Sequence, residues 1–197
     1  MKNTVFLSFV FSFLFFATGT IQAQKTKRVK KFKVEQIINA PADQVWAVVA
    51  EDYGAIANSH PEIISSNYIN GSLSAGEGAQ RVCNFNEKGT RYLHEKMVNY
   101  DPENYTFKNQ VFHAGKFPVN PDYTYAIYKV ERIDNQTSKL VFDMTYRTKP
   151  AFLGGMMKRK FKKLINDYTI AVEHHVKTGE KVNKDNFKEI KKLYASR

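Results

Sequence analysis

The feature that most constrains this chain is a single change of period. Residues 63–70, 79–85, 90–100, 105–111, 123–133 and 139–147 each read as a strand. They are separated by a Gly/Ser-rich turn over 71–78, by Glu87-Lys88-Gly89, by a turn over 101–104, by a loop over 113–121 and by Asp134-Asn135-Gln136. From residue 152 to 176 the period becomes helical. Met157, Phe161, Leu164, Ile165, Tyr168, Val172 and Val176 recur at three and four, while Lys158, Arg159, Lys160, Lys162 and Lys163 take the other sides. Helices do not alternate with strands, so a parallel α/β fold is excluded. Consecutive strands with short turns predict an antiparallel meander, and its concave face must be covered by the one long amphipathic helix.

Upstream, residues 33–39 form a strand candidate. Ala40-Pro41-Ala42-Asp43 then opens a helix, with Asn39 as its expected cap, Pro41 in its first turn and Val45, Trp46 and Val49 as its apolar stripe. It stops near Tyr53-Gly54, and a second short helical turn over 55–58 ends at His60-Pro61. Ahead of all this, a basic start (Lys2) leads into an apolar run over 5–17 broken only by Ser8 and Ser12, then into a small-residue region ending at Ala23. That is the pattern of an export signal, and the run is too short for the roughly 20 residues that span a bilayer. Mature protein is expected to begin near Gln24 and to be exported, either periplasmic or secreted. The expected organisation is therefore a signal at 1–23, a basic segment at 24–32, the domain at 33–178 and a lysine-rich tail at 179–197. The tail holds a short amphipathic helix bearing Phe187, Ile190 and Leu193, a stripe that could dock on the domain or on an anionic membrane.

The net charge of +11 is unevenly placed. Residues 24–33 carry six basic groups and no acid, and 156–197 carry twelve against five, whereas 34–155 hold eleven basic against fourteen acidic. The body is nearly neutral and its ends are cationic, which suits solvated termini or an anionic membrane surface. No nucleic-acid motif accompanies the charge. The single cysteine, Cys83, can form no internal disulfide and reads as a small buried residue. Five histidines (His60, His94, His113, His174, His175) make no metal-binding pattern, and neither a glycine-rich phosphate loop nor a nucleophile elbow is present. No cofactor or metal is implied, and the chain is expected to be a monomer.

Strand register points to the interior. A Glu87-Lys88-Gly89 loop with glycine last fits a type I turn plus bulge. Arg81 then faces Glu95, Cys83 faces Leu93 and Ala79 faces Met97. Leu93 and Met97 require burial, so Arg81 and Glu95 form an inward cross-strand pair. His94 points outward. On the later strands Phe107, Thr124, Ala126, Tyr128, Val130, Phe142, Met144 and Tyr146 face in.

Asn39-Ala40-Pro41-Ala42-Asp43-Gln44-Val45-Trp46, then Tyr53, His60-Pro61, Gly78-x-x-Arg81, Glu95-Lys96-Met97, Tyr100-Asp101 and the final apolar helix carry a resemblance. Over roughly residues 33–178 the chain resembles the START/birch-pollen-allergen (SRPBCC) superfamily, and within it the polyketide cyclase/dehydrase and lipid transport group. The resemblance implies the helix-grip fold, an α+β arrangement in which a curved antiparallel sheet of six to seven strands wraps one long C-terminal helix. Members of that superfamily include lipid carriers, hormone receptors, cyclases and hydrolysis-stimulating factors, so the fold does not choose among activities.

The inner set matches a pocket for an apolar molecule with one polar handle. The candidate ligand-binding residues are Arg81, Cys83, Glu95, Phe107, Tyr128, Phe142, Met144, Met157, Phe161 and Ile165, and the partner is a small hydrophobic or lipid-like ligand. The opposing expectation is that the ion pair satisfies itself and the aromatics fill the space. A cyclase or dehydratase with Glu95 as acid/base is the alternative function, although Arg81 opposite it favours binding over proton transfer. A surface-adhering protein using its cationic ends is the third.

Overall fold

The computed structural model describes residues 28–69 and 71–195; the expected export signal lies outside them. Seven strands form one antiparallel sheet: β1 (Lys30–Ile38), β2 (Ser65–Tyr68), β3 (Gln80–Asn84), β4 (Tyr92–Asp101), β5 (Thr106–Ala114), β6 (Tyr125–Arg132) and β7 (Ser138–Tyr146). Their order is β1-β7-β6-β5-β4-β3-β2, so the meander runs from β2 to β7 and the first strand closes on the last. Helix α1 (Ala42–Trp46), a wide helical turn (Ala47–Glu51) and a 3₁₀ segment (Tyr53–Asn58) connect β1 to β2. The long helix α2 (Gly154–Thr178) crosses the concave face, and α3 (Phe187–Tyr194) follows it. This is the helix-grip arrangement. No helix among the described residues is long and apolar enough to cross a membrane.

Local chemistry sets the register. Gly89 adopts φ +60°, the left-handed conformation its turn requires, and Asn86 Oδ1 accepts the backbone N–H groups of Thr90 and Arg91. Arg81 therefore pairs with Glu95 and Cys83 with Leu93. The β4–β5 ladder shifts between His94 and Glu95 and again between Val98 and Asp101, where Asn99 has a positive φ; Tyr105, just before β5, has one too. Such irregularities bend a strand and raise its twist, which is how the sheet curls around α2.

Several boundaries differ from the sequence reading. Asn39 does not cap α1, because Pro41 occupies the cap position and no side chain bonds there. The backbone N–H of Asn39 instead reaches Glu173 Oε1 on α2 (3.4 Å). Strand β5 continues through His113 to Ala114 where a loop is expected, and β2 shrinks to four residues. Strand β1 starts inside the expected basic segment, because Phe32 alternates inward among lysines and meets Tyr146 edge-on.

The tail is part of the domain. Val182 donates its N–H to Asn58 O (2.8 Å) and is fully buried. Ile190 packs with Val182 and Ala171, flanked by Phe187 and Tyr194, while Leu193 stays exposed. Asp167 on α2 is buried and accepts from Lys163 (2.5 Å) and from Lys191 of α3. Phe187 and Ile190 of the short helix thus dock against α2, and Leu193 does not.

Candidate ligand-binding cavity

Between α2 and the concave face lies a cavity of about 80 Å³. Of the expected residues, Arg81, Glu95, Tyr128, Met144, Phe161 and Ile165 line it. The other four do not. Cys83 points inward but lies under the Glu95 carboxylate, with Sγ 3.5 Å from Oε2. Phe107 stacks on Tyr128 (4.5 Å between centroids) and meets Trp46 and Tyr53 edge-on. Phe142 sits edge-on to Tyr128 (4.3 Å) and Tyr168 (5.5 Å). Both rings fill the far half of the interior. The concave face is thus filled by rings behind Tyr128 and hollow in front of it.

Met157 lines a second, more open recess of about 300 Å³ at the start of α2. The recess and the cavity share Phe85, Phe117, Phe161 and Leu164 as walls. Phe85 and Phe117 lie 4.7 Å apart between centroids, and Phe117 and Phe161 lie parallel at 6.2 Å. Three phenyl rings therefore separate the inner space from the outer one.

The polar groups on the cavity wall are unequally engaged. Arg81 donates from Nε (2.8 Å) and Nη2 (2.7 Å) to one oxygen, Glu95 Oε2, and from Nη1 to Tyr53 O (2.7 Å). Its guanidinium also lies 3.9 Å over the Tyr53 ring. Glu95 Oε1 has no partner among the described residues, so one carboxylate oxygen is saturated and the other is open. Asn109 accepts from the Tyr53 hydroxyl through Oδ1 (2.5 Å), which leaves its amide N–H groups available.

His60 enters from the loop before β2. Its Nδ1 accepts the backbone N–H groups of Glu62 (3.0 Å) and Ile63 (3.2 Å), which fixes the ring proton on Nε2, and the ring stacks on Tyr168 at 5.0 Å. Burial, aided by the Arg81 charge, pushes its pKa down to about 3, so the imidazole is neutral. Burial and the Glu95 charge push the Cys83 thiol up to about 12, which leaves it protonated and unreactive. Burial likewise raises the phenols of Tyr53, Tyr128 and Tyr168. Among the described residues no cluster of three or more His, Cys, Asp or Glu side chains is placed to hold a metal ion.

His60, Asn109 and Tyr168 were not in the expected set. Asn109 was within reach, since it alternates with Phe107 and Val111 on β5. His60 was not, because a loop residue carries no period.

The profile of the family described as polyketide cyclase / dehydrase and lipid transport matches residues 30–170, from β1 into α2. The chain belongs to this family. No curated protein matches the chain. Solved structures share the fold. Norcoclaurine synthase from Thalictrum flavum, in complex with dopamine and hydroxybenzaldehyde, is 17% identical with TM-score 0.59, covering 89% of this chain and 96% of its own. Ara h 8.0201 is 22% identical with TM-score 0.61, covering 75% and 97%. The di-domain ARO/CYC BexL is 16% identical with TM-score 0.60, covering 75% of this chain and 46% of its own. Likeness at this level of identity carries the fold and leaves the ligand open.

Proposed function

We propose that the chain is an exported carrier that holds a small, mainly apolar molecule in this cavity, with a hydrogen-bond donor of that molecule against Glu95 Oε1. The observation that carries the reading is the asymmetry of the Glu95 carboxylate. Oε2 takes two donors from Arg81 and the Cys83 thiol, whereas Oε1 takes none. In apolar walls an open anionic acceptor selects for a hydroxyl, amide or ammonium group. The Asn109 amide offers a donor as the second point of attachment. The handle is thus Glu95 rather than Arg81, whose donors point to protein acceptors.

The cavity is small beside the roughly 300–1,000 Å³ of pockets that enclose drug-sized ligands. A molecule of more than a few heavy atoms therefore displaces the Phe85–Phe117–Phe161 barrier and extends into the recess. A second reading rests on the same open oxygen. Glu95 Oε1 is also placed to take a proton from a bound molecule, as a cyclase or dehydratase would require.

The test is native mass spectrometry of the chain from Gln24 onward, with extraction of any bound molecule, on wild type and Glu95→Gln. Glutamine keeps its oxygen on the Arg81 donors and turns its NH₂ into the cavity, so the open acceptor becomes a donor. Occupancy by the extracted molecule is expected to fall roughly 10- to 100-fold, the loss of one charge-assisted hydrogen bond. Unchanged occupancy in Glu95→Gln removes Glu95 from the site. Recovery of the molecule in altered form after incubation favours the enzyme reading. N-terminal sequencing of secreted material that still begins at Met1 rules out cleavage at the expected signal.

A further inference from the structure

Phe152, in the 3₁₀ turn (Ala151–Leu153) that leads into α2, and Met156, in the first turn of α2, are 75% and 65% exposed. Both sit at this tip, and the exposed Arg159, Lys160 and Lys163 follow Met156 at three, four and seven residues, on its side of the helix. Residues 147–166 carry seven cations and no acid. Backbone bonds draw the neighbouring loops to the same end: Lys116 N–H donates to Thr90 O (2.7 Å) and Lys149 N–H to Pro118 O (3.2 Å). The exposed Lys88, Arg91, Lys116 and Lys149 therefore gather beside the helix tip, with Glu62 and Glu87 as the acids nearby. The recess opens here too, since Arg91, Met157 and Lys160 line it.

Two large apolar side chains at a tip, with cations one and two turns behind them, match the layering of a bilayer interface. Apolar groups enter the headgroup–acyl boundary, and lysines and arginines remain at phosphate depth. We propose that this end of the molecule docks on an anionic lipid bilayer, with Phe152 and Met156 inserted and Lys149, Arg159 and Lys160 on the phosphates. The proposal does not depend on what the cavity holds, but it turns the recess toward the bilayer. It also places the contact away from the tail, which packs around Asp167, Ala171 and His174, several turns along α2.

The experiment is co-sedimentation of the chain from Gln24 onward, which keeps every described residue, with phosphatidylcholine vesicles with and without phosphatidylglycerol. Wild type is expected to bind the anionic vesicles, and to release them as salt is raised. Phe152→Ser/Met156→Ser is expected to weaken binding at least about tenfold by removing the inserted surface. Arg159→Gln/Lys160→Gln is expected to weaken it about fivefold per charge. Lys184→Gln/Lys188→Gln/Lys192→Gln in the tail should leave it within about twofold, since charges beyond a Debye length are screened. All these positions are exposed, so thermal unfolding should be unchanged and the loss is read as loss of docking. Phe152→Trp adds an interfacial fluorophore beside the buried Trp46, and its emission should shift to the blue only with anionic vesicles. Failure of wild type to bind anionic vesicles overturns the proposal. Binding that survives Phe152→Ser/Met156→Ser, or that falls as far in the tail variant, overturns it equally.

Discussion

Arg81 and Glu95 face each other across β3 and β4 with only 2% and 10% of their side chains exposed. Taking two charges out of water is costly, and their attraction repays it only while both remain. Arg81→Ala is accordingly expected to cost about 3–5 kcal/mol in chemical denaturation, because it leaves a buried carboxylate without its cation. The double variant Arg81→Met/Glu95→Met should cost far less, since neither charge is left. A loss under about 1 kcal/mol in the single variant would mean that water in the cavity solvates Glu95 by itself. His60 makes a different prediction. Its pKa is about 3 in the folded chain against 6.5 for an unperturbed histidine. As pH falls below 6.5 the unfolded chain takes up a proton that the folded chain refuses. The contribution of neutral His60 is thus complete above pH 6.5 and is lost toward pH 3, at about 1.4 kcal/mol per pH unit. His60→Asn keeps an acceptor for the two backbone N–H groups and does not titrate. Its unfolding free energy should decline less steeply over that interval; an identical slope would show that other groups set it.

At the scale of elements, the short helix α3 tests how far the domain extends. Ile190 is 4% exposed and sits in a cluster with Val182 and Ala171, so Ile190→Ala is expected to cost about 2–4 kcal/mol, as for other buried large-to-small changes. Leu193, 66% exposed on the same short helix, should tolerate alanine with little change. Equal and small losses at both positions would show that the tail is not docked. Each of these elements was legible in the sequence, because hydrophobic period and turn chemistry are local signals. The Glu87-Lys88-Gly89 turn is the clearest case, since its geometry alone placed Arg81 opposite Glu95. What the tail packs against was not legible, because the partners of Phe187 and Ile190 lie on α2, and an amphipathic stripe does not name the surface it meets. Phe107 and Phe142 were read correctly as inward and still miss the cavity. Alternation gives a side chain its face, whereas which half of that face is filled depends on volumes summed over several strands and α2.

For the molecule as a whole, one polar pair is surrounded by aromatic packing on one side and by a hollow on the other, and the hollow lies toward the cationic end. Pairing of β1 with β7 is what closes this arrangement, and it joins residues a hundred or more positions apart, from Ile38 with Ser138 to Lys30 with Tyr146. A ladder of that span has a high contact order, and topologies dominated by such pairings fold in milliseconds to seconds rather than microseconds. The sheet cannot be completed until the ribosome has passed Tyr146. Until then β1 has no partner, with Phe32, Val34 and Ile38 still in water, and a chain halted before that residue carries an unpaired strand with its apolar face uncovered.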